Sequence, residues 1–147
     1  MRGSAYAAVL VVLASVLFPV CILAESTLAL IGPTWLLLEA KGMAVKVPAD
    51  ARQPFILFQG TEKRVSGYSG CNEFFGNYEL KGDTLTFGPV GMTRRSCEGA
   101  AGDTESVFLK VLGETRSWKI EKGILVLLDN SGVLARFRMK ANGTIGR

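Results

Sequence analysis

Few side chains in this sequence can do chemistry, and they cluster. Cys71 and Asn72 lie inside the run Ser66-Gly67-Tyr68-Ser69-Gly70-Cys71-Asn72-Glu73-Phe74-Phe75-Gly76-Asn77-Tyr78, and Cys97 follows Thr93-Arg94-Arg95-Ser96. A thiol can bond to a second thiol, attack as a thiolate or hold a metal. Attack needs a base, and the chain contains no histidine. Without a partner protein, that rules out Ser-His-Asp and Cys-His nucleophiles, HExxH zinc chemistry and histidine proton shuttles. Two cysteines also fall short of the four ligands of a structural zinc site. Glu73 and Asp83 remain as carboxylates for acid-base work, but no close acidic pair with an evident task is present. The expectation is a chain that is not an enzyme and carries no cofactor or metal.

The remaining use of Cys71 and Cys97 depends on the compartment. Arg2 followed by the apolar run Ala5 to Leu23, broken at Pro19 and closed by Ala24 before Glu25, reads as an export signal over residues 1–24. An uncleaved anchor is the alternative, because about nineteen apolar residues nearly span a bilayer. Lipidation at Cys21 is a third outcome, although Phe18-Pro19-Val20 lacks the small residues of a lipobox. Removal of the leader leaves an even pair, which in an oxidising compartment is read as a Cys71–Cys97 disulfide. Closing a loop of roughly 27 residues stabilises a fold by about 3–4 kcal/mol in the chain-entropy model. In a reducing compartment the same residues would be two buried thiols.

Around these residues the chain is built as one compact domain. It has 147 residues, 48% of them hydrophobic and 20% charged, with a formal charge of +4. The apolar content excludes disorder. Basic residues occur singly or in pairs, such as Lys63-Arg64 and Arg94-Arg95, without the dense basic face that neutralising a nucleic-acid backbone requires. The expected organisation is a leader over 1–24, a linker over 25–33, a folded domain over 34–140 and a flexible tail over 141–147. Asn142-Gly143-Thr144 also matches a glycosylation acceptor, which matters only in a eukaryotic host.

Most of the folded part reads as short strands separated by glycine turns. Thr34 to Ala40 turns at Lys41-Gly42 into Met43 to Val47, and Pro48 and Pro54 bracket a loop. Phe55 to Phe58 and Lys63 to Tyr68 follow, then Asn77 to Leu80 with Thr84 to Phe87 across Lys81-Gly82-Asp83. Arg116 to Ile120, Ile124 to Leu128 and Val133 to Met139 form a closing meander. One helix is expected over Asp103 to Gly113, with Asp103 as its cap and Gly113 as its terminator. Glu105, Phe108, Leu109 and Leu112 fall at i, i+3, i+4 and i+7, so the last three make an apolar stripe. One amphipathic helix among seven or eight short strands implies an α+β fold, a curved antiparallel sheet packed against that helix.

Taken in order, several residues resemble the META domain family, which includes the HslJ-like bacterial heat-shock proteins. They are Trp35, Phe58, Arg64-Val65-Ser66-Gly67, the run from Gly70 to Tyr78, Thr93 before Cys97, Glu105 with Phe108-Leu109 and Leu112, and Leu125-Val126-Leu127. The match covers nearly all of residues 34 to 139, and GCNxFxGxY followed by TxxxC is a specific pattern. This chain departs from the family pattern at Arg95-Ser96. The resemblance implies a half-barrel of antiparallel strands around a helix, in a non-catalytic envelope domain associated with stress and antibiotic tolerance. Some relatives are similar in shape to lipid-binding secretin pilots.

Two kinds of function stay open. One is a binding or stabilising module of the envelope, located in the periplasm or at the outer membrane if the host is Gram-negative. Its partner would be an unknown envelope protein, and a leader left uncleaved would be its only membrane contact. The other is a carrier for a lipid or apolar peptide, which an exposed apolar cavity would distinguish. Neither involves nucleic acid, and a monomer is expected. The candidate binding edge is Asn72, Arg94 and Arg95. If strand alternation holds through Met92 to Cys97, the two arginines point to opposite faces. Asn72 also has a structural reading, satisfying backbone groups in the bend after Cys71. Tyr68, Phe74, Phe75 and Tyr78 are expected in the core, with an exposed aromatic cluster as the alternative.

Overall fold

The computed structural model describes residues 29–141. The expected leader, its expected cleavage point before Glu25, Cys21, the 25–28 part of the linker, the 142–147 part of the tail and the Asn142 acceptor motif lie outside the described residues. Ten strands and one helix follow: β1 Thr34–Ala40, β2 Met43–Ala44, β3 Phe55–Gln59, β4 Arg64–Tyr68, β5 Glu73–Lys81, β6 Thr84–Phe87, β7 Gly91–Met92, α1 Ala100–Glu114, β8 Ser117–Glu121, β9 Ile124–Leu128 and β10 Val133–Met139.

Every strand pairing is antiparallel, and eight strands run around a ring in the order β10-β9-β8-β6-β5-β4-β3-β1. Pairing of β1 with β10, from Trp35 opposite Met139 to Ala40 opposite Ala135, closes it. The curved sheet expected from the sequence is therefore present, and the half-barrel continues round to meet itself. Register shifts between Leu37 and Glu39 and between Val133 and Ala135 fall on the closing strands. An extra residue at such places increases bend and twist, as closure requires. The two short strands are side branches: β2 continues alongside β1 beyond β3, and β7 lies alongside β5 beyond β6.

Period-two alternation decides which residues enter the core. Ile56 and Phe58 in β3, Phe74 and Tyr78 in β5, and Leu125 and Leu127 in β9 are all buried. Phe108 on α1 reaches between opposite walls, 5.3 Å from the Phe74 ring and 6.0 Å from that of Phe137. Gly67 shows how closely this core is packed. A Cβ there would lie 2.1 Å from the Phe55 carbonyl oxygen and 2.7 Å from the Phe74 ring, so only glycine lets that ring lie against β4. Both tryptophans bury their rings and donate their indole N–H groups to backbone, Trp35 to Leu30 O and Trp118 to Gly82 O, each at 3.0 Å.

Four local expectations need correction. Met43 to Val47 forms only a two-residue strand, because Val45 bonds back to Leu38 and the chain then leaves the sheet. The helix begins at Ala100, with Gly99 rather than Asp103 in the cap position and no side-chain cap. Its buried residues are Phe108, Val111 and Leu112, so Val111 joins the inner face while Leu109 is only partly buried. Phe75, expected in the core, is 61% exposed because it alternates outward from β5.

Candidate functional site

The bend after β4 carries the chemistry-bearing residues to one end of the helix. Ser69 and Asn72 face each other across it, Ser69 donating through both its backbone N–H and its hydroxyl to Asn72 O, each at 2.9 Å. Gly70 sits between them at φ 118°, against Thr104 and Ala101 of α1. That left-handed backbone suits glycine, and a side chain there would press on the helix. Cys71 is bonded to Cys97, with Cα atoms 5.9 Å apart. The disulfide ties the bend to the segment leading into α1.

Asn72 is 2% exposed, and every polar atom of its side chain is used. Its Nδ2 donates to Arg95 O at 3.0 Å and to Glu105 Oε1 at 3.1 Å. Its Oδ1 accepts from Arg95 N at 2.7 Å and from Thr93 Oγ1 at 2.8 Å. An amide side chain has two donor hydrogens and an oxygen with two lone pairs, so nothing is left for a ligand. The Arg95 backbone is gripped at both its N–H and its carbonyl. Thr93 Oγ1 accepts in turn from Glu73 N at 3.1 Å, and Thr93 N donates to Glu73 O at 3.0 Å.

Glu105 anchors this cluster from the helix. It accepts from Asn72 N at 2.8 Å and from Asn72 Nδ2, and it shares the single Ser69 hydroxyl hydrogen with Asn72 O. Burial works to raise its pKa, but the hydrogen bonds from Ser69 and Asn72 outweigh it and hold the carboxyl below its ordinary value. The sequence contains a signal for this role. Glu105 heads the i, i+3, i+7 series with Phe108 and Leu112, and a carboxylate in line with a buried stripe must find donors.

Arg94 and Arg95 are both exposed and make no ion pair among the described residues. The expected alternation through Met92 to Cys97 does not occur, because pairing stops at Met92 and Asn72 holds the Arg95 backbone in place of a neighbouring strand. The three residues of the candidate edge are brought together, but in different states. Asn72 is inside and saturated, while both guanidinium groups face solvent. The two carboxylates considered for acid-base work stay apart: Glu73 pairs with Arg52 at 2.8 Å, and Asp83 sits in the exposed turn between β5 and β6. Among the described residues no group of three or more His, Cys, Asp or Glu could hold a metal ion.

One of the surface hollows is a groove between the connection from β2 to β3 and the first turns of α1. It consists of two adjoining hollows of about 290 and 250 Å3, with mostly apolar walls. It is the exposed apolar cavity that would favour the carrier reading.

Comparison with known proteins now adds a family. A family model described as the META domain matches residues 27–141. A protein from Burkholderia xenovorans, solved by NMR, is similar at 26% identity and a TM-score of 0.65, over 81% of this chain and 88% of that one. A second NMR structure is similar at 25% identity and a TM-score of 0.56, over 71% of this chain and 87% of its own. A search of curated proteins returns no match.

Proposed function

The chain belongs to the META domain family, and from that premise we propose that it is exported to the cell envelope and works there as a binding domain in stress or antibiotic tolerance. Family membership supports a non-catalytic domain. The absence of histidine agrees with that, since the commonest general base is missing. The proposed compartment is the periplasm or outer membrane of a Gram-negative cell. A disulfide between Cys71 and Cys97 is consistent with an oxidising location.

One observation carries the binding reading: Arg94 and Arg95 project, unpaired among the described residues, from a backbone held by the disulfide, by Thr93 and by Asn72. Groups presented on a pre-ordered backbone lose less entropy on association. The guanidinium fork suits carboxylates on a partner protein. Crosslinking in intact cells, followed by identification of what co-purifies, tests this. The wild-type chain should recover a defined envelope partner, and the Arg94→Ala, Arg95→Ala double variant should lose it at unchanged thermal midpoint. Equal recovery by both would return these arginines to the solvated surface.

A further inference from the structure

The groove beside α1 has two unlike halves. The hollow nearer β2 holds about 290 Å3, and Ala40, Ala44, Val45 and Val107 give it aliphatic walls, with exposed Met43 also lining it. The neighbouring hollow holds about 250 Å3 and is lined by two cations, Lys46 and Arg52, together with Pro54 and Tyr68. Lys46, Ala100 and Thr104 line both halves, so one occupant can extend through the two. Asp103 is the one carboxylate on either lining.

The cations differ in what they have free. Arg52 donates to Glu73 at 2.8 Å and stacks with its guanidinium carbon 4.7 Å from the Tyr68 ring centre and 5.0 Å from that of Phe55. Lys46 makes no ion pair among the described residues. It stands where the aliphatic half meets the cationic half. A peptide would bring an N–H and a C=O at every residue into the aliphatic hollow, each needing a partner on burial. The methyl groups of Ala40, Ala44, Val45 and Val107 supply none. A hydrocarbon tail has no such need, and the small hollow suits one tail rather than two.

We infer that this groove binds a single-chain carboxylate amphiphile, its tail between β2 and α1 and its carboxylate against Lys46. Charge complementarity fixes the orientation, because of the two halves the one lined by both Lys46 and Arg52 has an excess of positive charge, whereas Asp103 offsets Lys46 in the other. The groove shares no lining residue with the Arg94 and Arg95 edge, so the two surfaces can act independently.

The test is calorimetric titration of the whole chain with dodecanoate, with dodecyltrimethylammonium as the same tail on a cationic head, and with acetate as the head alone. Dodecanoate should bind saturably, the cationic amphiphile more weakly and acetate not at all. Ala44→Trp, at an exposed position, should fill the aliphatic hollow and abolish binding while the thermal midpoint holds. Lys46→Glu should lower dodecanoate affinity by about threefold to fivefold, as expected for a solvent-exposed ion pair, and reverse the preference between the two heads. The Arg94→Ala, Arg95→Ala variant should bind dodecanoate like the wild type, which separates failure here from failure of the partner edge. The inference is overturned by no saturable binding to the wild-type chain, by binding that survives Ala44→Trp, by equal affinity for the two heads, or by trileucine amide occupying the groove in place of dodecanoate.

Discussion

The bend at Ser69 to Glu73 and the connection from Met43 to Pro54 both approach the start of α1, and they treat their polar groups in opposite ways. At the bend, Asn72, Ser69, Thr93 and Glu105 satisfy one another, and a disulfide closes the arrangement. Along the connection, β2 ends after two residues, Lys46 is unpaired among the described residues, and the apolar walls stay open. The bend contains the residue types that suggest chemistry, and it uses them to fix the chain. The connection carries no chemical motif in its sequence, yet it leaves room for a ligand. A saturated polar cluster stabilises, whereas a surface whose groups remain unsatisfied is where binding can add something.

The comparison is broken most severely by removing the covalent tie. Cys71→Ser should lower stability by about 3–4 kcal/mol, because the bond closes a sequence separation of 26 residues. Denaturant midpoints measured with and without reductant check this, and the variant should no longer respond to reductant. Asn72→Ala comes next. It leaves the Glu105 carboxylate and the Arg95 backbone short of partners and should cost about 3 kcal/mol. A loss well under 1 kcal/mol would mean that water replaces the amide and that the cluster is not a structural clamp.

Glu105→Gln should have a smaller effect, about 1–2 kcal/mol at neutral pH, because an amide replaces a charged acceptor. Its distinguishing mark is pH dependence. The Glu105 pKa is lowered in the folded chain, so its contribution is present above the unfolded carboxyl value of about 4.3 and is lost as pH falls through the folded value. Wild-type stability should therefore decline more steeply below about pH 4 than that of the Gln variant. Parallel acid limbs would contradict the assignment. The smallest expected effect is on the exposed side of the same edge. Arg94→Ala with Arg95→Ala should change stability by less than about 0.5 kcal/mol, as solvated side chains do.

The sheet was legible where alternation and glycine turns agreed. Lys41-Gly42 and Lys122-Gly123 both take left-handed backbone at each residue, the geometry of tight hairpins, and their flanking strands follow from the sequence pattern. The helix start was not legible, because Gly99 caps it without any side-chain signal. The short extent of β2 was hidden for a different reason: Val45 and Val47 are good strand residues, but nothing pairs with them after Leu38. In the site, the Cys71–Cys97 bond follows from the even cysteine pair that is left once residues 1–24 are read as a leader. The partner of Asn72 could not, since Glu105 lies 33 residues away and meets it only when α1 docks. The direction of Arg94 and Arg95 escapes a strand-based reading because the chain there is held by an amide side chain, which carries no period-two signature.

Native-state hydrogen exchange, read residue by residue, tests the contrast between the two regions most directly. The Asn72 amide donates to Glu105, and the Arg95 amide donates to the Asn72 side chain. Among the described residues, the amides of Lys46 and Val47 have no such acceptor. If the bend is a rigid clamp, the Asn72 and Arg95 amides should exchange only through global unfolding, and those of Lys46 and Val47 at close to unprotected rates. An Arg95 amide that exchanges as fast as that of Lys46 would show that the clamp opens freely, and the account of a pre-ordered arginine edge would fail.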